Sequence, residues 1–237
     1  MFVLVGMKVQ RDDLNDSMVT RIKHLALVSL IAALLIETGT NASAAAPDAY
    51  PLDEVSRSVQ TRRGKVICPK LPLTPYNGTS VKYHRSVRVH PAFIERLKRF
   101  EKVAVQVAKE VYGRAPTKMR HIGAYNCRRI GGYPEYLSEH GLGNGIDVAG
   151  FDFKGLSKAE RQRSELPRHL KRAFKVRLGE HWKGKGRTRL HKDFLHTLAK
   201  RLVARKDIFR VLLGPAFPGH KTHFHFDMAP WRLVDIW

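Results

Sequence analysis

The sequence is short of acidic residues, of cysteines and of long apolar runs. The shortage of cysteines excludes a zinc finger, and the shortage of long apolar runs disfavours a membrane-spanning helix. It carries 21 acidic residues against 43 lysines and arginines, so its formal net charge is +22 at pH 7. Two cysteines among 237 residues provide no zinc-finger spacing. The longest apolar run covers residues 25–36, which is shorter than the roughly 20 residues that a membrane-spanning helix needs. The sequence shows no internal repeats and no low-complexity segment.

The first 44 residues are typical of a secretory signal peptide. Basic residues at positions 21–24 precede the apolar run, and small residues ending at Ala44 follow it. The alternative, an uncleaved membrane anchor, is disfavoured by the shortness of the run. The residues before Met18 are polar and of mixed charge, so Met7 and Met18 are also candidate start positions. We therefore expect an exported protein, in the periplasm of a Gram-negative bacterium.

Export leaves the charge of the protein unchanged. Residues 1–44 contain four basic and four acidic residues, so the remaining chain keeps the formal charge of +22. Such a charge attracts anionic partners, which outside the cytoplasm are cell-wall polymers and lipid head groups. Nucleic acid is a competing partner, but the basic residues are scattered and no nucleic-acid-binding motif is present. No specific nucleic-acid partner is expected.

The two cysteines, Cys68 and Cys127, lie far apart in the sequence. In an oxidising compartment an even pair favours a disulfide over two free thiols. Closing a loop of about 60 residues would stabilise the fold by about 4 kcal/mol in the chain-entropy estimate. We expect the disulfide and no nucleophilic thiol.

One hydrophobic core is the most that this composition supports, since 43% of the residues are hydrophobic. Residues 45–65 are polar, contain two prolines and end in basic residues, as is typical of a linker or flexible arm. The packed domain is expected over residues 66–237.

Within this domain, apolar residues recur every three or four positions from Pro91 to near Gly113 and again over residues 192–205, which predicts two amphipathic helices. Alternating patterns predict strands over residues 145–153 and 222–228.

Between the two predicted strands lies a stretch rich in Lys, Arg and Gly, residues 157–189. It has few apolar residues and predicts a helix or loop insertion. Strands interleaved irregularly with helices indicate an α+β domain with a small, mainly antiparallel sheet and flanking helices.

A glycine-rich stretch holds the first candidate ligands. Three glycines between His140 and Asp147 permit a tight turn, so that the imidazole and the carboxylate can reach one point. On the strand that follows, Ile146 and Val148 face one way and Asp147 the other. The carboxylate is therefore presented on the face opposite the apolar pair.

The second stretch runs from His220 to Asp227. Alternation places His223, His225 and Asp227 on one face of a strand, while the two phenylalanines between them point to the core. Zinc accepts histidine nitrogen and carboxylate oxygen, and a catalytic zinc site has three protein ligands with water in the fourth position. His140, Asp147 and one histidine of the pair supply that number.

Each stretch also has an ordinary interpretation. The glycine-rich stretch alone could be a loop, and His-Phe-His alone could be a half-buried strand with exposed imidazoles. Together their spacing favours a metal site. Five other histidines are expected to have structural roles only: His90, His121, His169, His181 and His191.

These motifs resemble those of known zinc proteins. Ser-x-His-x-x-Gly-x-x-x-Asp, followed about 75 residues later by His-x-His, is similar to the lysostaphin, D-alanyl-D-alanine peptidase and hedgehog group. More closely, the sequence resembles the bacterial extensin-like C-terminal domain family over about residues 65–230. That resemblance is carried by residues 125–129 (Tyr-Asn-Cys-Arg-Arg), 138–140 (Ser-Glu-His), 147–151 (Asp-Val-Ala-Gly-Phe), 213–215 (Leu-Gly-Pro) and 223–227 (His-Phe-His-Phe-Asp).

The resemblance implies roles for the motif residues. In the wider group the ligands correspond to His140, Asp147 and the second histidine of the pair, His225, with Zn2+ as the cofactor. His223 corresponds to the residue that holds the water or the developing oxyanion. The group cuts peptides of bacterial cell walls, which implies peptidoglycan as the substrate. His220 could move a proton or merely cap the strand.

Arg128 or Arg129 is placed like the group's substrate-contacting arginine, and a guanidinium suits a peptide carboxylate. A solvated basic pair is the alternative interpretation. Carboxypeptidase members of the group place a glutamate shortly before the final histidine, where this sequence has Lys221 and Thr222. The resemblance therefore favours an endopeptidase over a carboxypeptidase.

Three functions follow from the sequence, in order of preference. The first is a zinc peptidase that hydrolyses peptidoglycan stem peptides or cross-links. The second is a non-catalytic zinc-containing module that binds the cell wall. The third is secreted nucleic-acid binding, whose affinity would depend steeply on salt and not on the zinc ligands.

Overall fold

A computed structural model describes residues 49–60 and 63–237 of the chain. The predicted signal peptide, residues 1–44, lies outside these ranges. Among the described residues, every helix is too short or too polar to span a bilayer.

The longest helix, α1, covers Pro91–Tyr112. Nδ1 of His90 accepts a hydrogen bond from the amide of Ala92, and Pro91 takes a first-turn position where its missing N–H costs nothing. The helix ends at Gly113, whose φ of 66° suits a left-handed C-cap. Phe93, with the other apolar residues at helical spacing, is fully buried. The prediction of an amphipathic helix that stops near Gly113 is confirmed.

Three more helices lie within the described residues. They are α2 (Lys158–Arg163), α3 (Leu178–His181) and α4 (Arg189–Ala204). The last is the predicted second amphipathic helix, which begins three residues earlier than expected. It packs on α1. In the core, Phe209 stacks on Phe226 of the sheet with ring centres 4.9 Å apart.

The strands are short apart from one at the centre of the fold. They are β1 (Thr74–Tyr76), β2 (Lys82–Tyr83), β3 (Val87–Val89), β4 (Lys118–Gly123), β5 (Arg129–Ile130), β6 (Tyr133–Leu137), β7 (Gly145–Phe153), β8 (Phe174–Arg177), β9 (Val211–Leu213), β10 (Phe224–Asp227) and β11 (Leu233–Asp235).

The main sheet has the order β11-β9-β10-β7-β4-β2. The pairs β9–β11 and β2–β4 are parallel, and the others are antiparallel. Strands β1 and β3 form one small antiparallel pair, and β5 and β6 form another. The prediction of a single α+β domain with a mainly antiparallel sheet is confirmed.

The insertion at residues 157–189 contributes a strand that the sequence did not predict. Strand β8 pairs antiparallel with the second half of β7, beyond the part that β10 covers. Gly150 permits this approach, because a Cβ there would lie 2.0 Å from the carbonyl oxygen of Val176. The four residues Phe-Lys-Val-Arg do alternate apolar with basic, but they are the shortest run that such a pattern can indicate, in a stretch otherwise rich in Lys, Arg and Gly.

The arm predicted over residues 45–65 is packed on the domain from Tyr50 to Val59. Tyr50 and Leu52 are buried, and the amide of Val59 donates to the carbonyl of Glu135. Its few apolar side chains stand among prolines and polar residues without a regular helical or strand period, which is why the pattern resembles a linker. The predicted disulfide is present between Cys68 and Cys127 and ties the chain after this segment to the loop before β5.

Candidate metal centre

The site lies where strands β7 and β10 meet. In their antiparallel register His225 is the partner of Asp147, and Phe226 is the partner of Ile146. Phe224 and Phe226 are buried in the core, so the side chains that alternate with them lie on the other face. The sheet therefore brings the two predicted motifs together, although 78 residues separate Asp147 from His225.

A turn of 3-10 helix, Glu139–Leu142, positions the third predicted ligand. The hydroxyl of Ser138 accepts a hydrogen bond from the amide of His140, and Gly143 ends the turn with a φ of 63°. A Cβ at residue 143 would lie 2.5 Å from a methyl carbon of Leu73, so the tight turn needs glycine. His140 is 1% exposed and points to the strand pair.

Three ligand atoms converge at this point. Nε2 of His140 lies 3.1 Å from Nδ1 of His225 and 3.2 Å from Oδ1 of Asp147, and the last two atoms are 3.0 Å apart. Zinc bonds of about 2.0–2.2 Å in a tetrahedral site hold their ligand atoms roughly 3.3–3.6 Å apart. The three atoms therefore need to separate by only a few tenths of an ångström to accept such an ion.

The outer nitrogens of both histidines are fixed by hydrogen bonds. Nδ1 of His140 donates to the carbonyl of Ala124, and Nε2 of His225 donates to Oδ2 of Asp227 at 2.7 Å. Asp227 is itself held by the amide of Ala229. With the outer nitrogens protonated in this way, loss of the inner proton leaves each inner nitrogen with a lone pair that a metal ion can accept. Outer-shell hydrogen bonds of this kind orient histidines that bind metal ions.

The electrostatics of the cluster favour a bound positive charge. Burial opposes ionisation of Asp147, but hydrogen bonds from His140 and His225 outweigh burial and hold the pKa of the carboxyl well below its usual range. Burial alone would lower the pKa of His225, but hydrogen bonds to Asp147 and Asp227 raise it to about 9. The donor set, its geometry and its outer partners thus fit a divalent cation.

His223 and His220 lie beside the three ligand atoms. Nε2 of His223 is 3.8 Å from Oδ1 of Asp147, and burial lowers the pKa of His223. The ring centre of His220 is 4.9 Å from that of His223, and Nδ1 of His220 donates to the carbonyl of Pro218 at 2.9 Å. Both imidazoles therefore border the cluster.

The two candidate arginines have different surroundings. Arg128 is exposed, and its charge adds to burial in lowering the pKa of His220. Arg129 donates to the carbonyls of Gly64 and Arg63. Arg128 is therefore an exposed cation whose charge acts on a histidine beside the cluster, whereas Arg129 is partly buried and bonded to the backbone.

The five histidines expected to have structural roles contact other parts of the chain. His90 caps α1, and His121 and His169 each bond a backbone carbonyl. His181 accepts from the amide of Arg177, and His191 bonds the hydroxyl of Tyr112 at 2.9 Å.

Sequence reasoning placed Asp227 on the correct face but assigned it no role. Its two-residue spacing from His225 was the signal that could have indicated one. Tyr50, Arg57, Glu139 and Asn144, which lie behind the ligand turn, were also missed, and no local pattern identifies them.

Comparisons with known proteins identify a family. The family described as extensin-like protein C-terminus matches residues 53–235. No curated protein and no solved structure matches the chain. Because the family match covers more than half of the sequence, this chain belongs to the family of extensin-like protein C-termini.

Proposed function

We propose that the protein is a zinc-dependent peptidase that hydrolyses peptide bonds of peptidoglycan stem peptides or cross-links. The observation that carries the proposal is the convergence of His140, Asp147 and His225, whose ligand atoms lie within 3.0–3.2 Å of one another. The wider zinc-peptidase group that the motifs resemble supplies the substrate class.

His140, through Nε2, His225, through Nδ1, and Asp147, through Oδ1, are the residues that would hold the ion. Zinc in a three-ligand site supplies a Lewis acid for the substrate carbonyl and lowers the pKa of its water to about 7. Ala124 and Asp227 keep the two imidazoles in the tautomers that present lone pairs to the site. The orientation of both imidazoles is thus set by the protein before a substrate binds.

His223 is the proposed catalytic partner. Its Nε2 lies 3.8 Å from Oδ1 of Asp147, one of the three ligand atoms. From there it can donate a hydrogen bond to the oxygen of a carbonyl that becomes negatively charged. His220 is suited to move a proton at Nε2, because its Nδ1 is engaged with Pro218.

The carboxylates near the ligands favour the endopeptidase branch. Glu139 is bonded to Arg57, and Asp227 is bonded to His225 and to the amide of Ala229. Neither is therefore free to act as a general base in the way of a carboxypeptidase glutamate. Arg128 is placed to contact a carboxylate of the peptide stem.

The basic surface supports an anionic wall as the partner. The insertion at residues 157–189 contains twelve basic residues and three acidic ones. Its segments contact one another: Lys171 donates to the carbonyl of Arg161, and His169 bonds the carbonyl of Arg187. These contacts keep parts of the basic insertion close together, and long-range attraction to wall carboxylates or lipid phosphates would follow from its charge. The disulfide supports export to the periplasm.

Muropeptide profiling tests the proposal. Purified Gram-negative peptidoglycan is incubated with zinc-loaded and chelator-treated protein, and the products are separated by mass spectrometry. Zinc-dependent loss of cross-linked species identifies an endopeptidase, and loss of a terminal residue identifies a carboxypeptidase. Unchanged muropeptides together with saturable binding to the wall would favour the non-catalytic module.

A further inference from the structure

Residues 50–57 are hydrogen-bonded to the 3-10 turn that carries His140 and to the residue that leads from this turn into β7, the strand of Asp147. Glu139 comes directly before His140, and Asn144 lies three positions before Asp147. Glu139 is 3% exposed and Asn144 is fully buried. The side chains of both are hydrogen-bonded to residues between Tyr50 and Arg57, about 90 positions earlier in the chain.

Four side chains form one connected polar network. The hydroxyl of Tyr50 donates to Oδ1 of Asn144, and Nδ2 of Asn144 donates to Oε2 of Glu139. On the other side Nε of Arg57 donates to Oε1 of Glu139 at 2.8 Å, and Nη2 donates to Oε2 at 3.3 Å. Both ends of the network lie on the N-terminal segment, and its middle lies on the ligand turn.

The N-terminal segment is itself firmly placed. Nη1 of Arg57 donates to the carbonyls of Leu52 and Val55, and the amide of Leu137 donates to the carbonyl of Arg57. Asp53 forms an ion pair with Arg210. Because residues 50–57 are held in place, their hydrogen bonds can hold Glu139 and Asn144 in place as well.

Burial gives the network its strength. Arg57 is 6% exposed and Tyr50 is 3% exposed, so water does not replace a lost partner easily. A buried carboxylate or amide without its partner is costly, and the backbone that carries it moves to recover a hydrogen bond. In this turn such a movement would displace His140 and Asp147.

We propose that residues 50–57, which we call the strap, are a positioning element of the metal centre. Tyr50 and Arg57 act through Asn144 and Glu139, and they set the distance between the ligand atoms without touching the ion. The inference rests on the proposed zinc site, and it makes zinc affinity depend on a segment that precedes the ligands by more than 80 positions.

A matched pair of hydroxyl deletions tests the strap. Tyr50→Phe removes the hydrogen bond to Asn144. Tyr112→Phe removes a hydroxyl that is also buried, but its partners are the carbonyl of Leu190 and the ring of His191, and Tyr112 packs on Phe153 at the far end of β7. Zinc affinity is measured for the purified protein at pH 7.5 by competition with a chromogenic chelator. Thermal unfolding is measured in parallel with excess chelator.

We expect Tyr50→Phe to weaken zinc binding about tenfold, the lower end of the range for outer-shell partners of metal ligands. Tyr112→Phe should bind zinc within twofold of the wild type. Both should lower Tm by about 2–4 °C, because each removes a buried hydroxyl that is hydrogen-bonded in the folded protein. Arg57→Lys keeps the charge but loses the fork to Glu139, and it should weaken zinc binding at least as much as Tyr50→Phe.

Two other results would overturn the inference at different levels. If Tyr50→Phe and Arg57→Lys bind zinc as the wild type does, the strap only stabilises the fold, and the proposed function stands. If the wild type binds no zinc, the metal site itself is wrong and the role of the strap falls with it.

Discussion

His225 faces Asp147 across the β7–β10 pair, and its Nδ1 lies 3.0 Å from Oδ1 of Asp147. His140 reaches the same point from the preceding turn. The proposed zinc site would therefore draw one ligand from each of two strands and one turn.

Removing a ligand should abolish both zinc binding and turnover. His140→Ala and His225→Ala each leave two ligands, so we expect less than about a tenth of an equivalent of zinc after dialysis, measured by mass spectrometry of the metal. The exposed His169 serves as the control, and His169→Ala should retain the metal. A ligand variant that keeps its zinc would contradict the site.

Removing the catalytic partner should separate binding from turnover. His223→Ala keeps the three ligands, so the zinc content should stay near that of the wild type. Its kcat on a cross-linked muropeptide should fall about 10²–10³-fold, as for the loss of one oxyanion donor. Equal loss of metal and activity would instead make His223 a ligand.

The outer carboxylate should control zinc affinity. Asp227→Ala removes the acceptor of Nε2 of His225, so the ring can turn and the other tautomer becomes accessible. We expect zinc affinity to fall 10–100-fold in a chelator competition. Asp207→Ala is the control, because this carboxylate pairs with Arg205 and Arg99 instead. Unchanged affinity in Asp227→Ala would show that packing alone orients His225.

Stability should fall in acid because of His191. Burial, with the charges of His181 and His169, lowers its pKa to about 4. Below the unfolded value of 6.5 the unfolded chain binds a proton that the folded chain does not, so stability is lost from pH 6.5 down to about pH 4. By pH 5 the loss is about 2 kcal/mol. Urea unfolding of His191→Phe at pH 7 and pH 5 should lack this loss, and an identical pH dependence in both proteins would contradict it.

Wall binding should depend on where the charge lies and not only on its amount. Four substitutions to glutamine in the basic insertion should weaken binding to insoluble peptidoglycan about tenfold at low salt, and less at high salt. The substituted residues are Lys158, Arg163, Arg168 and Arg172, all of which are exposed. A charge-matched control replaces Lys102, Lys109, Lys200 and Lys206, which are also exposed. Equal losses in both would mean that net charge alone attracts the wall.

Local pattern predicted much of this molecule. Helix α1 could be predicted because a proline at its start, a glycine at its end and apolar residues at helical spacing all indicate the same helix. His223 and His225 were readable because strand alternation separates them from the phenylalanines. The strap could not be predicted from the sequence, because the roles of Tyr50 and Arg57 depend on hydrogen bonds to residues in another part of the chain. Strand β8 was not predicted for a similar reason, since these four residues form a strand only through their pairing with β7.

The register of β10 against β7 fixes both the packing of the core and the position of the candidate ligands. Shifting β10 by one position would turn Phe224 and Phe226 outward and place the histidines in the interior, because strand side chains alternate with a period of two. A chain with that error would lose its core and its ligand set in one step. If the proposed site binds zinc, the bound ion would also report correct folding, since only a molecule with this strand pair in register has all three ligands in place.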